Sequence, residues 1–153
     1  MKVDEVMNRM VFTCKPSDSL KHAAQLMWTH DIGCLAVTDD EGKAIGMVTD
    51  RDLLMGTHLS GRALHEEPVS SAMSKQLYSV RVGDSVQAAE ALMRAKQVRR
   101  IAVVGPEGRL MGVVSLNDLA LAAGTKKDVR PEDVAAILAS ICQPRPSSAT
   151  ARG

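Results

Sequence analysis

Two short runs, "GMVTDRDLL" at residues 46–54 and "GVVSLNDLA" at 112–120, each place a hydroxyl three residues before a carboxylate: Thr49 with Asp52, and Ser115 with Asp118. At a helix start this spacing makes a capping box. The hydroxyl accepts from a free N–H of the first turn, while the acid reaches back to the chain and complements the helix dipole. Such a cap is worth about 1 kcal/mol. At the mouth of a cleft the same groups have a second chemistry. A carboxylate can accept two hydrogen bonds from the vicinal diol of a ribose, and the hydroxyl with the helix N–H groups can serve an anion. Spacing alone is compatible with both roles.

The elements that must hold these groups repeat. A shift of 66 residues aligns 6–53 with 72–119 without a gap, and pairs Met7/Met73, Asp18/Asp84, Ala23/Ala89, Met27/Met93, Gly46/Gly112, Val48/Val114 and Asp52/Asp118 as identities. In each copy a short strand ("VFT", "LYSV") precedes a helix with apolar residues at helical spacing, Leu20, Ala23, Ala24 and Met27 in the first and Val86, Ala89 and Met93 in the second. Asp18 or Ser19 opens the first helix as N-cap. Two strands follow, "CLAVT" and "KAIGMVT", joined by the turn "DDEG"; the second copy reads "RIAVV", "GPEG" and "RLMGVV". The predicted order is strand, helix, strand, strand, helix, twice. A unit of about 60 residues is marginal alone, so the copies should pack together with pseudo-twofold symmetry and leave matching clefts.

Composition narrows the function. The chain of 153 residues is 45% apolar and 24% charged with a net charge of +1, so no global field favours nucleic acid or an anionic membrane. No apolar stretch approaches a membrane span and no signal peptide is recognised, which predicts a cytoplasmic protein. Cys14, Cys34 and Cys142 form neither a disulfide framework nor a zinc motif, and Cys34 reads as a small buried apolar residue. His22, His30, His58 and His65 lack metal-ligand spacing, and no catalytic constellation is visible, so neither a metal site, a required cofactor nor an enzyme is expected.

The doubled order, "Gly-x-x-Thr-x-x-Asp-Leu", the "DDEG" turn and the 66-residue tandem together resemble a pair of CBS domains, regulatory modules named after cystathionine β-synthase. The resemblance covers residues 3–124. It implies an α/β (α+β) fold with a first domain at 1–65, a second at 66–124, and a C-terminal helix and disordered tail at 125–153. It also implies a regulatory protein that binds an adenosine-containing ligand, AMP, ADP, ATP or S-adenosylmethionine, between the repeats. Homodimer formation and an unknown protein target are expected with it. The competing expectation is a ligand-free scaffold or dimerisation protein whose acids only cap helices.

Carried over residue by residue, the family pattern puts ribose on Asp52 and Asp118, supported by Thr49 and Ser115. The base would lie against the entry segment and second strand of the opposite repeat: Asn8, Arg9, Ile32 and Gly33 for the Asp118 cleft, and Ser74, Lys75, Val98 and Arg99 for the Asp52 cleft. With Phe12, Trp28 and Tyr78 the only aromatic residues, aromatic stacking is not expected, and adenine would be sandwiched by Met47, Val113, Ile32 and Val98. Phosphate would meet Arg99 and Arg100, which stand where the first copy has Gly33 and Cys34, and Arg51, whose counterpart is Asn117. On this reading the Asp118 cleft, with Ser115, Arg99 and Arg51 reaching across, is the better phosphate site. Finally, "RPEDVAAILASICQ" has Pro131 in a first turn and one stripe of Val134, Ile137, Leu138 and Ile141, which should close the module or contact a second subunit.

Overall fold

A computed structural model describes residues 1–145. The expected "QPRPSSATARG" tail lies mostly outside the described residues. The first repeat comprises β1 (Thr13–Cys14), α1 (Leu20–His30), β2 (Cys34–Thr38), β3 (Ala44–Thr49) and α2 (Asp50–Ser60). The second comprises β4 (Ser79–Arg81), α3 (Val86–Lys96), β5 (Arg100–Val104), β6 (Leu110–Ser115) and α4 (Leu116–Ala123), and is followed by α5 (Pro131–Cys142). The fold is α+β, as the repeated pattern predicts.

Each repeat folds by the same local rules. Ser19 Oγ accepts the His22 N–H at 3.1 Å and Ser85 Oγ accepts the Ala88 N–H at 3.2 Å, so both first helices start on serine caps. Both end on a left-handed residue other than glycine, Asp31 (φ 52°) and Gln97 (φ 53°). Their buried faces, Leu20, Ala23 and Met27 on α1 and Val86, Ala89 and Met93 on α3, cover three-stranded sheets ordered β1-β2-β3 and β4-β5-β6. In each sheet the first pair is parallel and the second antiparallel.

The two repeats exchange their entry segments. Val3 and Met7 lie in the core of the second repeat, with Ile101, Val103, Val114 and Leu119. Val69 lies in the core of the first, with Leu35, Val37, Val48 and Leu53. Backbone pairing extends the exchange: the Asn8 N–H donates to the Val113 carbonyl at 2.9 Å and the Asn8 carbonyl accepts the Val113 N–H at 3.0 Å, while the Ser74 N–H donates to the Met47 carbonyl at 2.8 Å. Gly46 and Gly112 make this approach possible. A Cβ at Gly112 would stand 2.8 Å from the Asn8 carbonyl oxygen, and one at Gly46 would overlap the Ser74 carbonyl oxygen. The glycine of each Gly-x-x-Thr/Ser-x-x-Asp run thus admits the other copy's entry chain.

Helix α5 closes on its own chain. Ile137 is fully buried in the second core, and Val134 and Ile141 pack against it. Leu138, expected in the same stripe, is instead 52% exposed, because it stands about 100° round the helix from the buried Ile137 and outside the face shared by Val134 and Ile141.

Candidate functional site

Each Thr/Ser-x-x-Asp run stands where its strand ends and its helix begins. Thr49 Oγ1 accepts the Asp52 N–H at 3.2 Å, and Asp52 Oδ2 accepts the Thr49 N–H at 2.9 Å. In the second copy Asp118 Oδ2 accepts the Ser115 N–H at 2.7 Å, the hydroxyl accepts the Asp118 N–H at 3.2 Å, and it also donates to Asp118 Oδ2 at 2.6 Å. Both capping boxes are complete. Each uses only one carboxylate oxygen: Oδ1 of Asp52 and of Asp118 makes no hydrogen bond among the described residues. The acids are half-buried, so a cap and an available acceptor coexist in one side chain.

Two clefts between the repeats contain these acids. The Asp52 cleft, about 420 Å³, brings Thr49 and Asp52 opposite Ser74, Tyr78 and Val98. The Asp118 cleft, about 550 Å³, brings Ser115, Asn117 and Asp118 opposite Asn8, Ile32 and Gly33. Both volumes are in the range of small-molecule sites. Met47 faces both clefts, and Val113 faces the Asp118 cleft.

Several expected placements are corrected. Arg9 and Lys75 do not line either cleft: the Arg9 guanidinium Nη2 donates to the Asp4 carbonyl at 3.1 Å, and Lys75 is exposed. Arg51 and Arg99 line the Asp52 cleft and not the Asp118 cleft, which is the side expected of Arg99 as a base contact but not the side expected of either arginine as a phosphate ligand. The first turn of α2 keeps Arg51 beside Asp52 instead of reaching across, and Arg99, immediately before β5, lines the same cleft as Thr49 at the end of β3. Arg100 faces both clefts. The Asp118 cleft is therefore not the more basic of the two.

Aromatic stacking is not expected from the sequence, yet each cleft has an aromatic side chain in its wall. Phe12 lines the Asp118 cleft and Tyr78 the Asp52 cleft. Phe12 stacks on His30, with centroids 3.5 Å apart and planes 13° from parallel, and Lys96 Nζ stands 5.5 Å from the Tyr78 ring centroid, within cation–π range. The signal was present, since Phe12 and Tyr78 are 66 residues apart, like every other matched pair.

Cys34, expected to be buried and apolar, is only half-buried and borders both clefts, as does Arg100, its counterpart 66 residues on. Burial pushes the Cys34 thiol up to about 11; Arg100 and Arg99 oppose the rise, and Asp52 and Asp50 add to it. A thiol so protonated is a poor nucleophile at neutral pH. What the clefts offer is recognition: an acceptor for a diol, strand-edge groups, aliphatic walls that include Phe12 or Tyr78, and arginines.

The family model for the CBS domain matches residues 3–56 and 69–124. The chain belongs to the CBS domain family. It is 37% identical over 119 residues to the CBS domain-containing protein YhcV of Bacillus subtilis, covering 78% of this chain and 83% of that one. The fold is similar to that of a CBS domain protein, TA0289, from Thermoplasma acidophilum, with a TM-score of 0.77, 25% identity, and coverage of 92% of this chain and 75% of the other. It is also similar to CBSX2 solved in complex with AMP, with a TM-score of 0.72, 26% identity, and coverage of 82% and 98%.

Proposed function

We propose that this CBS pair is a regulatory protein that binds an adenosine-containing ligand of the AMP, ADP or ATP class between its repeats and signals to a protein partner, without catalysing a reaction. The observation that carries the reading is the half-engaged carboxylate: Asp52 and Asp118 each cap a helix through Oδ2 and leave Oδ1 for a ribose diol. Ser74 and Asn8, held at the cleft edge by pairing with Met47 and Val113, are suited to flank the base, with Val98 and Ile32 as aliphatic cover. That a similar fold holds AMP in CBSX2 supports the choice of ligand class.

Domain boundaries at 65 and 124 divide the chain into two repeats and an appended helix, each repeat completed by the other's entry segment. Exposed Leu54 and Leu59 on α2 and Leu121 on α4 suit a homodimer contact in a cytoplasmic protein. Binding can act on a partner only if the ligand prefers one arrangement of the repeats.

Calorimetric titration of the full chain with AMP, ATP and S-adenosylmethionine tests the reading. Heat with at least one ligand, abolished by Asp52→Asn or Asp118→Asn, is expected; no heat with any of the three contradicts it. The scaffold reading has one observation in its favour, since both capping boxes are already satisfied within the protein. Under it, the two substitutions would change stability and leave nucleotide binding untouched.

A further inference from the structure

The pseudo-symmetry breaks at one place. Helix α5 lies beyond the matched repeats and has no counterpart in the first half. Its end reaches the Asp52 cleft, where Ile141 and Arg145 form part of the wall. Two hydrogen bonds fasten it there: Gln97 Nε2 donates to the Ser140 carbonyl at 2.7 Å, and Arg145 Nη2 donates to the Gln97 carbonyl at 3.0 Å. Gln97 is the left-handed residue that ends α3; at the matching position the Asp118 cleft has Asp31.

Charge follows the same division. The Asp52 cleft is lined by Arg51, Arg99, Arg100 and Arg145 with two acids, Asp50 and Asp52. The Asp118 cleft has one arginine, Arg100, also with two acids, Asp31 and Asp118. Among the described residues none of the four arginines is in a salt bridge; Arg145 uses one Nη2 donor on the Gln97 carbonyl, and its other donors remain for an anion.

We propose that the Asp52 cleft takes an adenosine carrying two or three phosphates, with α5 as its third wall, so that polyphosphate binding and the docking of α5 stabilise each other. This rests on the reading of the clefts as adenosine sites. Arg145 brings a guanidinium to the cleft only while α5 is docked, and by linkage a ligand that uses it must hold the helix in place. The other end of α5 is not optimally seated. It packs beside Glu90, which is buried on α3 with Oε1 lacking any hydrogen-bond partner among the described residues. The charged groups facing it are Arg94 on α3 and Arg130 and Asp133 on α5. Burying a carboxyl without a partner opposes docking, which leaves the helix within reach of a ligand's influence.

The test uses the full chain, with calorimetry for ATP and AMP on the parent and on Arg145→Ala, and hydrogen exchange of the 131–142 amides with and without ATP. Arg145 is exposed, so its removal should leave the fold intact. The expected result is tighter binding of ATP than of AMP, a loss of about tenfold in ATP affinity in Arg145→Ala with AMP affinity unchanged, and slower exchange in α5 when ATP is bound. If ATP binding depends on Asp52 but Arg145→Ala binds ATP as the parent does, or α5 exchange ignores ATP, the third wall is overturned while the adenosine reading stands. If neither nucleotide binds, both are overturned.

Discussion

The two clefts are built by one rule and finished by different residues. Both have an aspartate whose Oδ2 caps its own helix, an entry segment donated by the other repeat, and an aromatic residue at the matched position, Phe12 or Tyr78. They part at positions the repeat does not constrain. Arg99 and Arg100 occupy the places of Gly33 and Cys34, Gln97 that of Asp31, and α5 covers only one side. Duplication keeps what the backbone requires and leaves the lining free to diverge. A pair of half-sites can thus become one basic pocket and one that carries a net excess of acids.

The sharpest way to break the shared part of this comparison is at its glycines. Gly112→Ala places a methyl against the Asn8 carbonyl and the Met7 side chain, and Gly46→Ala does the same against the Ser74 carbonyl. Each should cost about 1–3 kcal/mol, as overpacking does, read as a lower urea midpoint. Both obstructions include backbone, and the Gly46 variant should suffer at least as much, since its approach to the carbonyl oxygen is the closer of the two. Midpoints unchanged in both would mean that the entry segments are not held by this approach.

The caps come next. Ser115→Ala removes a hydroxyl that both accepts the Asp118 N–H and donates to its carboxylate, and should cost about 1 kcal/mol. Thr49→Ala removes the equivalent acceptor and should cost a similar amount. Thermal unfolding measures both, and a near-zero change in either would show that its helix start is held by other contacts.

A smaller effect separates α1 from α3. Position 24 is alanine, and its counterpart Glu90 is the carboxyl beside α5, its pKa raised mainly by burial and then by Asp133, against Arg94 and Arg130. The folded chain therefore holds that proton more tightly than the unfolded chain does. The contribution to stability is complete below the ordinary 4.5 and is lost as pH rises through the raised value. Glu90→Gln should accordingly raise the melting temperature at about pH 7 and bring no gain below 4.5. An equal gain at both pH values would point to packing rather than ionisation.

Much of the fold was legible because the changes of apolar period occur twice at one offset. Leu20, Ala23 and Met27, matched by Val86, Ala89 and Met93, fix which helix faces are buried, and the strand order follows from the alternation around the Gly-containing turns. The exchange of entry segments was not legible, since it joins residues such as Asn8 and Val113 that no local pattern connects; only the paired Gly46 and Gly112 hint at a close approach. The side on which Arg51 falls, and the assignment of Arg99 to phosphate in the Asp118 cleft, were misread for a related reason. A residue's number tells which strand or helix carries it, while the cleft it faces depends on how two units meet. The role of α5 was open for the same cause: its stripe called for an apolar partner without naming one, and Leu138 proved to lie outside it.

The most direct measurement is a pair of ATP titrations by calorimetry, on Asp52→Asn and Asp118→Asn. Asparagine keeps a carbonyl oxygen for the cap and removes the ionised acceptor offered to ribose. The account predicts that Asp52→Asn abolishes the tighter ATP event while both variants stay folded. A parent-like isotherm from each folded variant would contradict it.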